Sequence, residues 1–357
     1  AETMAALRAL FRTRGFSSPS LRAFHGSSSG ISKVCVVGAG TLGAQVALQT
    51  AISGFDVAVL DVSPSALSGC HAVHKALAEQ FILREHDHNQ ARGWSALTTR
   101  QNVDAETIAA RALERLSYTT SAEEAMAGCD LVSENVPEVP EIKQATYGSL
   151  KDFAADHTIF TTNSSTLLPS EFAEFTGRPS KFCALHFANG IWDANIAEVM
   201  PHPGTDPEVV ETVLKFSKDI NMVPFSIKKE QNGYLINSLL VPWLNASLSL
   251  VTNGVSKPED VDKCWLISTG GYTAAPGAVR APFMTMDVIG LPIVSHIMAY
   301  WGEQLGDEQM KRNAVFVKEN YIDQGRLGIM NGNPLKDKAE GMYSYPYPAF
   351  LQGDFLE

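Results

Sequence analysis

Cysteine is scarce in this chain. There are five in 357 residues, Cys35, Cys70, Cys129, Cys183 and Cys264, odd in number, scattered and without a CxxC pair. That pattern argues against a zinc ribbon or a disulfide framework, points to a reducing compartment, and leaves no metal site to expect. Cys35 and Cys183 fall inside strand-like runs and read as small core residues. Long apolar runs are missing too, since no segment approaches the ~18 uninterrupted apolar residues of a membrane span. Positive charge is in short supply: 28 Lys and Arg stand against 39 Asp and Glu, a formal net charge of −11. With no basic stripe to neutralise phosphates, nucleic acid is not an expected partner. A small anionic ligand held by a few cations and backbone amides stays open. No internal repeat is visible.

What is present is enough apolar residue, 45% of the chain, to build a real core. At about 100–200 residues per domain, the length suggests two domains or one large one. Residues 1–32 stand apart. Arg8, Arg12, Arg14 and Arg22 occur among several serines, with Glu2 the sole acidic residue. This is the composition of a transit peptide, most simply one for the mitochondrial matrix, or else an extension of no consequence.

From Lys33 onward, short β-branched runs alternate with helical patterns. Strands are expected at residues 34–37, 56–61, 130–133, 158–161, 182–185, 196–199 and 222–225, with a helix over 41–53. Near-continuous apolar strands separated by helices predict a mostly parallel sheet covered on both faces. Between residues 63 and 115 the chain is polar-helical, which predicts a helical hairpin projecting from the sheet. After residue 226 the pattern becomes helical throughout. The run 234–252 is apolar nearly all round, so it should be buried, in its own domain or in a subunit interface. The expected fold is therefore α/β: a Rossmann-like doubly wound sheet over residues 33–226 with a hairpin insertion, then an all-helical C-terminal domain over 227–357.

The chemistry starts at Gly38-Ala39-Gly40-Thr41-Leu42-Gly43. A lone G-x-G-x-x-G says little. This one follows a strand, opens a helix, and is followed by a second strand ending in Asp61, which is the context of a dinucleotide fingerprint. Gly38 allows the turn, Gly40 lets the pyrophosphate approach, and Gly43 lets helix and strand pack. The helix N-terminus then offers N–H groups to the phosphates. A carboxylate at Asp61 suits the ribose hydroxyls and repels a 2′-phosphate, and Val62, Ser63 and Pro64 supply no cation to welcome one. NAD is favoured over NADP.

Downstream, His186 ends one strand-like run and Glu198 lies in the next, with Gly190 and Asp193 permitting a turn between them. Adjacent strands would bring imidazole and carboxylate together, and a His oriented by Glu is a competent general base near neutral pH. A structural His is the bland alternative.

Several stretches then coincide in order and spacing with one family: Gly38 to Gly43, Glu134-Asn135-Val136-Pro137-Glu138 with Lys143, Asn163-Ser164-Ser165, Leu185-His186-Phe187 with Asn189, Ala197-Glu198-Val199, and Gly233-Tyr234 with Asn237. The tail from Gly341 to Pro346 agrees. The chain resembles the 3-hydroxyacyl-CoA dehydrogenases from Lys33 to its end. The resemblance implies NAD-dependent oxidation of an L-3-hydroxyacyl-CoA to the 3-ketoacyl-CoA, and the reverse. In it His186 moves the proton, Glu198 orients His186, Ser165 bonds the reacting oxygen, and Asn237 and Asn189 complete the substrate pocket. Glu138 and Lys143 match positions at the nicotinamide half of the cofactor. It also implies a homodimer, and basic residues on the hairpin to meet CoA, for which Lys75, Arg84 and Arg92 are available and Arg84 is the best placed.

Bland alternatives stay open. Ser165 could cap a helix, Asn237 could be a buried polar residue that fixes packing, Glu138 and Lys143 could be an exposed ion pair, and Arg84 a solvated charge. Departures from the family pattern are His186-Phe187-Ala188-Asn189-Gly190 where His-Phe-Phe-Asn-Pro is usual, Asn232 for Pro, Ser238 for Arg, Ala281 for Gly, and a long stretch over 270–281. They put the acyl preference in question. Two other functions compete: an NAD-dependent dehydrogenase of a free hydroxy or sugar acid, and a non-catalytic NAD-binding subunit of a larger assembly.

Overall fold

The computed structural model describes residues 27–85, 92–270, 280–329 and 339–344. The arginine-rich leader up to residue 26, most of the 270–281 stretch, and the closing Tyr345-Pro346 lie outside the described residues.

Eight strands form one sheet: β1 Lys33–Val37, β2 Asp56–Leu60, β3 Leu116–Thr119, β4 Leu131–Glu134, β5 Ile159–Thr162, β6 Phe182–Phe187, β7 Ile196–Pro201 and β8 Val223–Ser226. Their order is β3-β2-β1-β4-β5-β6-β7-β8. Pairing is parallel throughout except at β6–β7, which is antiparallel. The alternation of side chains across the pleat sends Val34, Val36, Val57 and Val59 to one apolar layer and Cys35, Val37, Ala58 and Leu60 to the other. Both faces are covered, as the unbroken apolar strands require. The chain changes direction across the sheet between β1 and β4, and the crevice at their C-terminal ends is where α/β sheets take ligands. Strand β3 was not anticipated: Leu-Ser-Tyr-Thr is short, polar on one side, and follows a helix without a turn signal.

Seven helices accompany the sheet: α1 Thr41–Ile52, α2 Pro64–Glu85, α3 Leu97–Gln101, α4 Ala105–Arg115, α5 Ala122–Met126, α6 Pro140–Leu150 and α7 Pro207–Asp219. Helices α2 and α4 supply the two long arms of the expected hairpin. Its far end is tied to the loop after β6, where Trp94 stacks on Trp192 at 4.7 Å and Gly93 donates its N–H to the Trp192 carbonyl at 2.7 Å. Residues 27–32, left out of the fold by composition, pack onto it. Ile31 is buried in the core, and Asp219 accepts hydrogen bonds from Ser27, Ser28 and Ser29.

Beyond the sheet the described chain is helical: α8 Ile236–Thr252, α9 Pro258–Ser268, α10 Pro282–Ile289, α11 Leu291–Leu305 and α12 Glu308–Asn320. Their own core gathers Leu244, Leu248, Phe283, Met286, Met298 and Val317. Helix α8 is only partly buried: Val241, Leu244 and Leu248 face the core, whereas Leu239 is 73% exposed. Burial of the whole helix within its own domain, one of the two expectations, is therefore not what the chain achieves alone. Among the described residues no single helix is long and apolar enough to cross a membrane. The apolar pair α10 and α11 bends by 103° at its break.

Candidate active site

The glycine loop leaves β1 and enters α1 with the geometry its residues dictate. Gly38 has φ +98°, and a Cβ there would meet the Asn135 carbonyl oxygen at 2.5 Å. A Cβ on Gly43 would lie 2.0 Å from the Gly38 carbonyl, so only glycine lets helix and loop close up. Gly40 differs: nothing lies within 4 Å of where its Cβ would be. Helix α1 starts there with no side-chain cap and no acidic residue in its first turn, Thr41 and Leu42 being its first residues. An open approach to an uncapped helix N-terminus suits a pyrophosphate. Asp61, at the end of β2, accepts the N–H of Ala39 and of Ser63, each at 2.8 Å, and so holds the loop against its strand. These residues fit a bound dinucleotide.

Next to this crevice lies a second group of charges. Lys143 on α6 is 1% exposed and sits between two carboxylates, 2.9 Å from Glu134 and 3.2 Å from Glu138. An exposed ion pair is thus not what Lys143 makes. Sequence reasoning quoted Glu134 but gave it no part; a lysine predicted on the buried face of α6 would have been the signal that a second partner was needed. Glu134 also accepts from Tyr147, Thr162 and the backbone of Val136, each at 2.8 Å. Glu138 gathers the loop after β5: Oε1 accepts from the Ser164 hydroxyl, the Ser165 and Thr166 N–H groups, and the Thr166 hydroxyl. Burial alone would raise the Glu138 pKa, but the Lys143 cation and these donors outweigh it and hold the carboxyl below its usual range.

That loop presents Ser165 to His186. The Ser165 hydroxyl lies 3.0 Å from His186 Nε2, so it faces the imidazole rather than capping a helix. On the other side of the ring, Nδ1 is 2.8 Å from Glu198 Oε2. The antiparallel register makes His186 and Glu198 direct partners across β6 and β7. Both side chains are buried. A carboxylate can only accept, so Nδ1 carries the proton and the Nε2 lone pair faces Ser165. The other Glu198 oxygen, Oε1, accepts the N–H groups of Leu235 and Ile236 at 2.8 and 3.1 Å, where α8 begins. This arrangement can take a proton at Nε2 and hold the resulting imidazolium beside a fixed anion.

Two supporting residues were missed. Gln45 on α1 is buried and accepts from Gly190 at 2.8 Å, tying the loop after His186 to the cofactor helix. Asn163 accepts the Phe187 N–H at 2.8 Å and donates to Asn135 at 2.7 Å, which locks the strand ends together. Gln45 does not stand out in sequence and Asn163 was quoted without a role, because a polar residue on a helix or strand end is usually solvated.

Other expected residues are less engaged. Asn237 is half-buried in the first turn of α8, close to Gly233, and its amide makes no hydrogen bond among the described residues. Asn189 is exposed. Arg84 is committed to Asp193 at 2.8 Å and lies 5.8 Å from the Trp94 ring. It links the hairpin to the loop after β6 through an ion pair that stays solvent-exposed. Lys75 and Arg92 are exposed. Among the described residues no group of three or more His, Cys, Asp or Glu could hold a metal ion.

A sequence model of the 3-hydroxyacyl-CoA dehydrogenase NAD-binding domain matches residues 33–231, and one of the C-terminal domain matches residues 233–337. The mitochondrial hydroxyacyl-coenzyme A dehydrogenase of Rattus norvegicus is 28% identical over 319 residues, covering 88% of this chain and 91% of that protein. The 5-formyl-3-hydroxy-2-methylpyridine 4-carboxylate 5-dehydrogenase of Mesorhizobium japonicum is 27% identical, covering 88% of this chain and 91% of that protein. A solved diketoreductase, described as acting on dicarbonyl compounds, is 39% identical with a TM-score of 0.74, covering 88% of this chain and 99% of its own. The NAD-binding model spans the glycine loop, Asp61 and the His186–Glu198 pair, and the cofactor is NAD.

Proposed function

The chain belongs to the 3-hydroxyacyl-CoA dehydrogenase family, an NAD-dependent oxidoreductase family, and from that premise we propose that it oxidises an L-3-hydroxyacyl-CoA to the 3-ketoacyl-CoA and runs the reverse reduction. The observation that carries the reading is the Ser165–His186–Glu198 line, with the Nε2 lone pair facing the Ser165 hydroxyl at one end and a fixed anion at the other. NAD, when bound, accepts the hydride. His186 Nε2 takes the proton of the 3-hydroxyl as the carbon loses hydride, and returns it in the reduction. Glu198 holds the ring and offsets the positive charge that forms. Ser165 bonds the same oxygen and keeps it in line with Nε2. Asp61 takes the ribose hydroxyls, Gly38 to Gly43 the pyrophosphate, and Glu138 and Lys143 shape the nicotinamide side. Asn237 and Asn189 border the acyl group.

In this reading residues 33–226 form the cofactor domain and 227–357 the substrate and dimerisation domain, and the exposed Leu239 flank of α8 supports a homodimer. The arginine-rich segment ahead of residue 27 would direct the protein to the mitochondrial matrix and to acyl oxidation there, whereas residues 27–32, grouped with that leader by composition, belong to the fold. The test is NADH formation from 3-hydroxybutyryl-CoA and from a longer homologue. Turnover of neither would sink the acyl-CoA assignment.

A second reading has its own support: a CoA-free hydroxy acid or dicarbonyl compound as substrate. Arg84, the best-placed cation for CoA, is already paired with Asp193, and a diketoreductase is the 39% identical relative. Faster turnover of a CoA-free hydroxy acid or diketone than of its CoA thioester counterpart would select it. The intact dyad counts against a non-catalytic subunit.

A further inference from the structure

One aromatic ring joins the two domains at the dyad, and its backbone is strained to do so. Tyr234 lies just ahead of α8, in the turn where the sheet domain hands over to the helical one. Its ring stacks on the His186 imidazole, with centroids 4.6 Å apart and planes 24° from parallel. Its φ is +54°, one of four positive values among the described non-glycine residues. A bulky aromatic pays strain in that region unless its surroundings over-determine it. They do. Gly233 before it has φ +79°, and a Cβ there would fall 2.8 Å from the Trp301 ring, so α11 presses the turn from one side. Tyr234 itself packs in a buried apolar cluster with Ala184, Met200 and Ile227. The turn has a second consequence. It brings the N–H groups of Leu235 and Ile236 onto Glu198 Oε1, leaving Oε2 for His186.

The phenol hydroxyl has no part in this. It is buried and has no hydrogen-bond partner among the described residues. Burying a hydroxyl without a partner costs stability, so the position is not explained by a bond the hydroxyl makes. What the site uses is the ring and the turn.

We propose that Tyr234 is a positioning residue. Its ring fixes the plane of the His186 imidazole, and its left-handed turn aims the start of α8 at Glu198. Docking of the helical domain thereby completes the dyad. This rests on His186 acting as the general base, but the geometry can be read without substrate.

Three variants separate the parts. Tyr234→Phe keeps the ring and drops the idle hydroxyl. Tyr234→Leu removes the ring and disfavours the turn. Tyr234→Asn removes the ring but tolerates the left-handed backbone, and stands in if the leucine variant does not fold. The substrate-free readout is the His186 Nδ1–H proton by NMR, assigned by its loss in His186→Gln. We expect a slowly exchanging downfield signal in the wild type and Tyr234→Phe, lost to exchange in Tyr234→Leu and Tyr234→Asn. In turnover, kcat should fall about 10–100-fold in the ringless variants, as misplacement of a catalytic group does. The KM for NAD should move less than about twofold, since the glycine loop is untouched. Tyr234→Phe should match the wild type in both. A ringless variant that keeps the protected proton overturns the proposal, and so does a Tyr234→Phe that loses it. A protected proton that responds as expected, in a protein that turns over no hydroxyacyl substrate, would instead count against the proposed function alone.

Discussion

Glu198 and Asp262 are built alike and used differently. Each is buried, and each accepts two backbone N–H groups at the start of a helix. For Glu198 these come from Leu235 and Ile236 of α8; for Asp262 they come from Phe283 and Met284 of α10, at 3.0 and 3.1 Å. Both placements favour an anion near the positive end of a helix. The difference lies in the third partner. Glu198 meets an imidazole whose far nitrogen faces the Ser165 hydroxyl, whereas Asp262 meets the Tyr343 hydroxyl at 3.0 Å, inside the helical core. Nearby Asp287 accepts the N–H groups of Met342 and Tyr343, so the pair of aspartates staples the chain's return segment to α10. A capped buried carboxylate is therefore a general anchoring device. What sets Glu198 apart is a titratable partner whose second nitrogen faces a further polar group, and that is the feature the proposed catalysis uses.

The comparison can be tested from the strong end downward. His186→Ala should lower kcat by about 10²–10⁴-fold, the usual worth of a general acid–base group, with NAD affinity by titration little changed. Retention of full turnover would remove the premise. Glu198→Gln keeps an acceptor for α8 but not the charge, so kcat should fall by about 10–100-fold while the unfolding midpoint stays near the wild-type value. A large loss of stability with normal kcat would make Glu198 a second Asp262.

Asp262→Asn should do the reverse: kcat of the folded protein unchanged, but a different dependence of stability on pH. Burial pushes the Asp262 carboxyl up to about 7, against the pull of the Phe283, Tyr343 and Met284 donors, and Asp287 adds to the rise. A folded pKa above the unfolded one means the folded state holds the proton longer. Its contribution is fully present below about pH 4 and is lost as pH rises toward 7, with a slope of at most about 1.4 kcal/mol per pH unit. Denaturant unfolding across pH 4–7 should show that decline in the wild type and not in Asp262→Asn, once the pH dependence common to both is subtracted. The smallest effect belongs to Tyr343→Phe, about 1 kcal/mol in unfolding free energy with kcat untouched. A kcat change there would mean the two anchors communicate.

Much of this was legible in sequence, and the reasons are local. Strands such as Val34 to Val37 declare themselves by unbroken β-branched runs, and the glycine loop by its place between strand and helix. His186 and Glu198 could be paired because each sits on a short apolar strand with a turn between. The misses have a common cause. Gln45 and Tyr234 meet partners from distant parts of the chain, and the partners of Glu134 come from three different elements, so residue type and position alone do not say what each will touch. Arg84 shows the converse. Its charge invited a ligand, but the fold brings Asp193 to it from 109 positions away. The helix α10 was also missed, since its eight residues are too few to show a period.

By itself the sequence determined the α/β class and the cofactor loop with its choice of NAD, because each depends on residues whose spacing along the chain equals their spacing in an element, and it offered His186 and Glu198 as partners on neighbouring strands. Only the tertiary structure decided that Lys143 is buried between two carboxylates, that Arg84 pairs with Asp193, and that the Tyr234 ring and the first turn of α8 meet the His186–Glu198 pair. Those contacts are made between elements, and the forces that select them, burial and the need of every buried charge for a partner, act only once the elements have packed.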